Sequence, residues 1–271
     1  MVNPDAAAST SPPSPATRIF ALAPCPLPLT ETPVQQPLPL TASLACVLQT
    51  AALAGERGER RLFEGLELDL KAGSVTWLRG RNGRGKTTLL RLLAGLSTPA
   101  EGSIRLHGQT LRQAGPEGRR QWVYIGHQNA LKDDLTATEA LGFLARLHGL
   151  PHDPAALKQA LQRLGVLQHQ HAPVRTLSQG QRRRVALARL ALSGAAPLWL
   201  LDEPFDALDS DGIEALNGVI AGHAASGGCV LLSSHQAPSL TEPAPQVLDL
   251  EPFAPGAAAA RPSAQRAVAA P

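Results

Sequence analysis

Eight consecutive residues of this chain, from Gly80 to Thr87, bring together three glycines, a lysine and a hydroxyl side chain. Glycine lets a backbone wrap closely around an anion with its N–H groups turned inward. Lys86 adds a positive charge for the β and γ phosphates, and the hydroxyl of Thr87 is a ligand for Mg²⁺. The spacing GxxxxGK[ST] therefore predicts a phosphate loop. The residues expected to contact the nucleotide are Gly80, Arg81, Asn82, Gly83, Arg84, Gly85, Lys86, Thr87 and Thr88.

The segments on either side decide between this loop and an ordinary glycine-rich turn. The apolar segment Ser74–Leu78 predicts a strand that runs into the loop. Thr87–Ala94 predicts a helix that leaves it and ends at Gly95. The positive end of that helix points at the phosphates. A strand before the loop and a helix after it favour phosphate binding.

Two adjacent carboxylates follow the apolar segment Leu198–Leu201. Asp202 is placed to hold Mg²⁺ directly or through water. Glu203 is placed to polarise an attacking water as a general base. Strands often end in an acidic turn, so the pair is a weak signal alone. Together with the phosphate loop it predicts hydrolysis of the bound nucleotide.

A second anion site is predicted where a helix begins after Ser178. Serine is a good N-cap, and a helix N-terminus attracts phosphate. The chain then has two phosphate-binding helix ends, of which only one is needed for its own nucleotide. We expect Ser178, Gly180 and Gln181 to bind phosphate rather than merely to start a helix. The following arginines, Arg182–Arg184, are expected to form a solvated basic face.

Strand and helix alternate across the middle of the chain, which predicts an α/β fold with a mixed or parallel sheet and a helical subdomain at about 127–192. The nucleotide-binding domain is expected to span 42–251. The predicted strands are Leu44–Leu48, Leu66–Leu70, Ser74–Leu78, Gly102–Leu106, Trp122–Ile125, Leu198–Leu201 and Cys229–Leu232. The predicted helices are Thr87–Ala94, Thr138–His148, Pro154–Leu164 and Ser210–Ala225, with one more after Ser178.

Composition sets further limits. Residues 1–41 are rich in proline and predict a disordered arm, and 252–271 predict a flexible Ala/Pro tail. The net charge of +3 is spread along the chain, which does not favour nucleic acid as a partner. Three widely spaced cysteines predict inert thiols in a reduced compartment. The N-terminal segment does not resemble a secretory signal, and no apolar run approaches the roughly 20 residues needed to span a bilayer.

The chain resembles the ABC ATPases over about Leu44–Leu250. The resemblance rests on four features in this order: the phosphate loop, the Ser-x-Gly-Gln signature, the Asp-Glu pair and a histidine after the next strand. The resemblance implies binding of ATP and Mg²⁺ between two copies of the chain. It implies that Gln128 contacts Mg²⁺ and senses a membrane partner, and that Asp209 crosses the dimer interface. It also implies that His235 contacts the γ-phosphate, although a lone histidine is more often structural.

Two positions depart from the family pattern. The signature usually has glycine where this chain has Gln179, while Ser178 and Gly180 are kept. The family also stacks an aromatic ring on adenine, at a position that falls near Arg57. No aromatic residue occurs between Ala42 and Arg61. Adenine therefore stacks on the Arg57 guanidinium, or its stacking is weak.

A finer resemblance is to the ATP-binding subunits of the haem exporter of bacterial cytochrome c maturation. Its most discriminating residues are His127, just before the glutamine Gln128 of the segment called the Q-loop, and Gln236, just after the switch histidine His235. It implies a peripheral location on the cytoplasmic face of the inner membrane, with integral membrane permease subunits of the cytochrome c maturation complex as partners. Whether the output is haem delivery or release of a haem-loaded chaperone stays open.

Three alternatives remain at this level. The same ATPase could serve another cargo, because the membrane partner selects it. A soluble ABC protein acting on ribosomes or DNA is disfavoured, since such proteins usually carry two nucleotide-binding units, a long coiled coil or zinc cysteines. A regulatory nucleotide binder without turnover is opposed by Glu203 and His235.

Overall fold

The computed structural model describes residues 46–111, 113, 121–194, 197–256 and 268–269. The chain divides into two units, Met1–Thr41 and Ala42–Pro271, and the described residues belong to the second. The predicted arm over 1–41 lies outside the described residues. So do residues 257–267 and 270–271 of the predicted tail.

Two sheets and a group of helices make up the described part of the chain. An antiparallel sheet has the strand order β2-β1-β4-β5, and a larger sheet has the order β10-β9-β3-β8-β7-β6. The prediction of an α/β fold with a mixed or parallel sheet is confirmed. The strands are β1 Cys46–Arg57, β2 Arg60–Lys71, β3 Val75–Arg79, β4 Glu101–Leu106, β5 Gln109–Thr110, β6 Trp122–Ile125, β7 Leu198–Leu201, β8 Cys229–Ser233, β9 Gln246–Asp249 and β10 Val268–Ala269.

The helices begin where the sequence supplies caps. Thr136 and Glu139 form a reciprocal capping box at the start of one helix, and Asp153 caps the next, whose first residue is Pro154. The helices are α1 Lys86–Leu93, α2 Ala137–Leu147, α3 Pro154–Arg163, α4 Gln179–Leu192 and α5 Ser210–Ala225. Helices α2, α3 and α4 share one apolar core cluster with the central strands.

The parallel strands determine where the polar loops meet. β7 and β8 are buried at every residue, as expected for strands covered on both faces. In the register of the sheet, Leu78 pairs with Ser233, Leu201 with Leu232, and Ile125 with Leu201. The carboxyl ends of β3, β6, β7 and β8 therefore lie at one edge. The phosphate loop, Gln128, the carboxylate pair and His235 all follow those ends.

The structure differs from the sequence prediction at the margins. β1 and β2 are longer than the predicted strands Leu44–Leu48 and Leu66–Leu70, and they form a hairpin whose turn contains Gly58 at φ +62°. β9 was not predicted, because its four residues lie between proline-rich segments that give no strand pattern. Phe253, which lies in the predicted tail, is buried in the core cluster that contains Phe63. The core therefore extends beyond residue 251.

One buried histidine on α5 makes the fold sensitive to acid. The His223 ring stacks on Trp199 with 3.7 Å between centroids, and among the described residues His223 Nε2 has no hydrogen-bond partner. Gly228 lies so close that a Cβ there would come within 2.2 Å of His223 Nε2. Burial lowers the pKa of His223 to about 4. The folded state therefore holds this ring neutral.

We predict that acid destabilises the fold through His223. Between about pH 6.5 and pH 4 the unfolded chain protonates this histidine and the folded chain does not, so stability falls as the pH is lowered through that window. The shift corresponds to up to about 3 kcal/mol. Denaturant titrations at several pH values check this. His223→Phe should flatten the profile, whereas the exposed-site control His171→Gln should retain it, and equal slopes would contradict the assignment.

Candidate nucleotide site

The phosphate loop lies between the end of β3 and the start of α1. Its glycines adopt conformations that other residues avoid, with φ +78° at Gly83 and +101° at Gly85, the N-cap of α1. A Cβ on Gly85 would lie 3.1 Å from atoms of Leu62 and Phe63. The β1–β2 hairpin thus packs directly against the loop at Gly85.

Lys86 lies across the loop. Its Nζ donates to the carbonyl oxygen of Gly80 at 2.9 Å and lies 3.7 Å from Glu203 Oε1. Its side chain is only 10% exposed. The positive charge is therefore held between the two ends of the loop and the second carboxylate, where the terminal phosphates of a nucleotide are expected.

A hydrogen-bonded chain joins the loop to the carboxylate pair. Thr87 Oγ1 donates to Asp202 Oδ1 at 3.1 Å, and Ser233 Oγ donates to the same oxygen at 2.9 Å. The backbone N–H of Glu203 donates to Ser233 Oγ at 2.9 Å. Asp202 is 2% exposed. A hydroxyl and a buried carboxylate beside a phosphate loop form a donor set that suits Mg²⁺, which prefers oxygen ligands and keeps several waters.

Glu203 has the environment of a general base. It lies just beyond β7 with φ +47°, and its Oε1 is 3.8 Å from His235 Nε2. Burial raises the pKa of Glu203, while His235 and Lys86 oppose that rise. A carboxylate with a raised pKa is a better proton acceptor near neutral pH. The side chain of His235 is 59% exposed.

The signature residues form a separate group at the start of α4. Ser178 caps the helix by accepting from Gln181 N, and Gln181 Oε1 accepts from Ser178 N. Gln181 Nε2 also bonds His169 Nε2 at 3.0 Å. Among the described residues, no hydrogen bond or ion pair joins Ser178 or Gln181 to the phosphate loop of the same chain.

Gln128 and Asp209 lie on connecting segments, and Gly180 lies in the first turn of α4. Gln128 is exposed, three residues beyond the end of β6. Asp209 caps α5 by accepting from Gly212 N at 3.0 Å, and it also pairs with Arg184. A Cβ on Gly180 would lie 2.6 Å from the carbonyl oxygen of Ala207, so only glycine fits at that position.

The sequence reasoning missed Glu251. Glu251 accepts from Arg81 N at 3.1 Å and from Arg84 Nε at 2.9 Å, and the bond from Arg84 holds the pKa of Glu251 below its usual range. The guanidinium of Arg84 is therefore engaged outside the loop. Glu251 lies 167 residues from Arg84 along the chain, so no local pattern signals the contact.

The prediction of a solvated basic face was wrong for Arg183. This residue is 3% exposed, whereas its neighbour Arg182 is partly exposed. The helix turns Arg183 inward, toward the segment that carries the carboxylate pair. At the hairpin, Arg57 is exposed, while Arg61 is paired with Glu56 and Glu101.

This combination of phosphate loop, base and signature helix defines a phosphate-loop ATPase. The chain belongs to the ABC transporter family, whose model matches residues 63–206. It is 48% identical over 189 residues to the cytochrome c biogenesis ATP-binding export protein CcmA of Pseudomonas fluorescens, covering 70% of this chain and 89% of that protein. The namesake protein of Pseudomonas aeruginosa is 46% identical over 190 residues, covering 70% of this chain and 93% of that relative.

Solved structures give the same fold. The ATP-binding subunit of an ABC transporter has a TM-score of 0.63 and 27% identity, covering 75% of this chain and 88% of that structure. The cbiO1 protein of Clostridium perfringens, part of the ABC transporter complex cbiONQ, has a TM-score of 0.59. The match covers 71% of this chain and 80% of that protein. Its 24% identity supports the fold alone. No helix in the described part of this chain has the length and apolar character to cross a membrane.

We predict that Glu203→Gln binds ATP normally but hydrolyses it about 100- to 10,000-fold more slowly, because the amide cannot accept a proton from water. Steady-state phosphate release and ATP binding should be measured on the same preparation. Glu214→Gln, an exposed change on α5, is the matched control and should remain active. Normal turnover by Glu203→Gln would contradict the assignment of the base.

Proposed function

We propose that this chain is the Mg²⁺-dependent, ATP-hydrolysing subunit of a haem exporter in c-type cytochrome biogenesis, working at the cytoplasmic face of the inner membrane. The observation that carries the ATPase part is the position of Glu203 Oε1, 3.7 Å from Lys86 Nζ and 3.8 Å from His235 Nε2. The similarity to the cytochrome c biogenesis export proteins supports the haem part.

The signature helix supports a dimer of this chain. Ser178 is exposed, and its hydroxyl accepts from the helix backbone while its own proton stays available for a phosphate. Asp209 is also exposed, with a side chain that is 66% accessible. A second copy would place Ser178 and the dipole of α4 against the γ-phosphate held by Lys86. Two ATP molecules then lie between two subunits.

Within each site the residues of the chain divide the chemistry. Thr87, Asp202 and Gln128 would hold Mg²⁺, and a bound ion would supply charge compensation on the phosphates. Lys86 neutralises the β and γ phosphates. Glu203 accepts a proton from the water that attacks the γ-phosphorus. His235 orients the terminal phosphate and interacts with Glu203.

A groove at the other end of the helices supports a membrane partner. Its volume is about 790 Å³, and its apolar lining includes Leu96, Trp122 and Leu150. α1 begins at Lys86 in the phosphate loop and ends at Leu93, one residue before Ala94 at the groove. α4 begins after Ser178 and ends at Leu192, which lines the same groove. A helix of the permease in this groove would therefore move together with the phosphate loop at the start of α1 and with Ser178 at the start of α4.

The charges in the groove indicate the character of that helix. Arg189 is 8% exposed and donates to His148 Nε2 at 2.7 Å and to the carbonyl oxygen of Tyr124 at 2.8 Å. Its Nε has no partner in the part of the chain that the structure describes. Burial lowers the pKa of Arg189 to about 10. Among the described groove-lining residues no Asp or Glu occurs, while Arg163 adds a second cation. A buried cation without a counter-charge favours an amphipathic helix that carries a carboxylate.

The first test is a pull-down of the tagged chain from detergent-solubilised host membranes with ATP present, followed by mass spectrometry. We expect small integral membrane subunits of the cytochrome c maturation system. A different permease would keep the ATPase and reject the haem assignment. Ribosomal or DNA-repair proteins alone would overturn the transporter assignment.

We predict that Leu96→Glu abolishes this co-purification and leaves ATP binding unchanged. Leu96 is 56% exposed at the groove, and a carboxylate there would repel the acidic partner and remove an apolar contact. Ala225→Glu, an equal charge change at the exposed end of α5, is the control and should still recover the permease. Recovery of the permease with Leu96→Glu would show that the partner binds elsewhere.

A further inference from the structure

α4 carries a buried cation that the chemistry above does not use. Arg183 lies five residues after Ser178 and is 3% exposed. Burial lowers the pKa of Arg183, while Asp206, Asp202 and Glu203 oppose that shift. Its Nε has no hydrogen-bond partner among the described residues, so the acceptors of its two terminal nitrogens must offset the cost of burying the charge.

The guanidinium joins two separate segments of the nucleotide site. Its Nη1 donates to the carbonyl oxygens of Gly126 at 3.0 Å and His127 at 3.4 Å, and to Asn129 Oδ1 at 3.2 Å. These residues surround Gln128. Its Nη2 donates to the carbonyl oxygens of Asp202 at 3.1 Å and Glu203 at 2.8 Å. One planar group thus fixes the backbone of both the base and the Q-loop.

The neighbouring residues of α4 tighten this connection. Gly180 packs against the carbonyl of Ala207, and Arg184 pairs with Asp209. Both contacts reach only the segment that follows Glu203. Within the described residues, the hydrogen bonds of Arg183 join the first turns of α4 both to the backbone beside Gln128 and to the backbone of Asp202.

We propose that Arg183 is a positioning residue that couples the two ATP sites of the dimer. The proposal rests on the proposed function, because it requires Ser178 of each subunit to meet the ATP of the other. When that phosphate engages Ser178, α4 is held in place, and Arg183 carries its position to Glu203 and the Q-loop of its own subunit. Each site then becomes competent only when the other is occupied.

The geometry requires arginine rather than any cation. The guanidinium offers donors on two terminal nitrogens in a rigid plane, so it can hold both segments at once. A lysine ammonium is a single point of charge on a flexible stem and can satisfy one segment at a time. Arg183→Lys therefore keeps the charge and breaks the bridge.

The test measures ATP binding and hydrolysis by the full chain in the membrane complex with which it co-purifies. Initial rates are followed over a range of ATP concentrations, and binding is measured separately with a fluorescent ATP analogue. We expect the wild type to show a Hill coefficient of about 2. Arg183→Lys should lower kcat about tenfold and bring the Hill coefficient to about 1, with affinity for the analogue within about twofold.

Two further variants keep the test decisive. Arg183→Gln is a second way to break the bridge if the lysine variant is unstable, and thermal melting verifies that each variant is folded. Arg175→Lys is the matched control, because its side chain is 61% exposed and pairs with Asp134 at the surface. The control should keep the cooperativity of the wild type.

The outcomes distinguish failure of the coupling role of Arg183 from failure of the proposed function. Retained cooperativity in both Arg183 variants would overturn the coupling role and leave the proposed function standing. Loss of analogue binding along with kcat would assign Arg183 a purely structural role, which also overturns the proposal. A wild type that hydrolyses ATP without cooperativity has the same effect. A wild-type complex without ATPase activity would instead overturn the proposed function.

Discussion

The hydrogen bonds that meet at Asp202 are the interaction on which the rest of the site depends. A carboxylate that is 2% exposed is stable only when its oxygens are satisfied, and Thr87 and Ser233 supply the donors. Asp202 follows β7, Ser233 ends β8, and Thr87 lies in the first turn of α1, which follows β3. The register of β3, β7 and β8 must therefore be maintained for the bonds to form. The same bonds fix the backbone of Glu203 through Ser233.

Two segments that carry no catalytic residue support the phosphate loop. The β1–β2 hairpin packs Phe63 under Gly85, and the segment after β9 places Glu251 against the backbone of Arg81. Glycine is required at Gly85 both for its positive φ and for this close packing. The antiparallel sheet and the C-terminal segment therefore support the loop.

Two helices extend from the phosphate edge to the groove at the far end of the domain. α1 begins beside Lys86 and α4 begins at Ser178, and both end among residues that line the groove. A helix is rigid over this length, since each turn is held by backbone hydrogen bonds. A displacement at either end is therefore transmitted to the other, which a transporter ATPase needs in order to act on a membrane partner.

Much of this protein was determined by short-range sequence. The strands Trp122–Ile125 and Leu198–Leu201, the helix starts at Pro154 and Ser210, and the phosphate-loop geometry were predicted because apolar runs, caps and glycines act within a few residues. The contact of Glu251 with Arg84 spans 167 residues, and no local pattern encodes it. The inward turn of Arg183 was also missed, because three consecutive arginines look alike until packing decides which one faces the carbonyls of Gly126 and Glu203. Local chemistry sets which elements form, and only tertiary packing sets which side chains are removed from water.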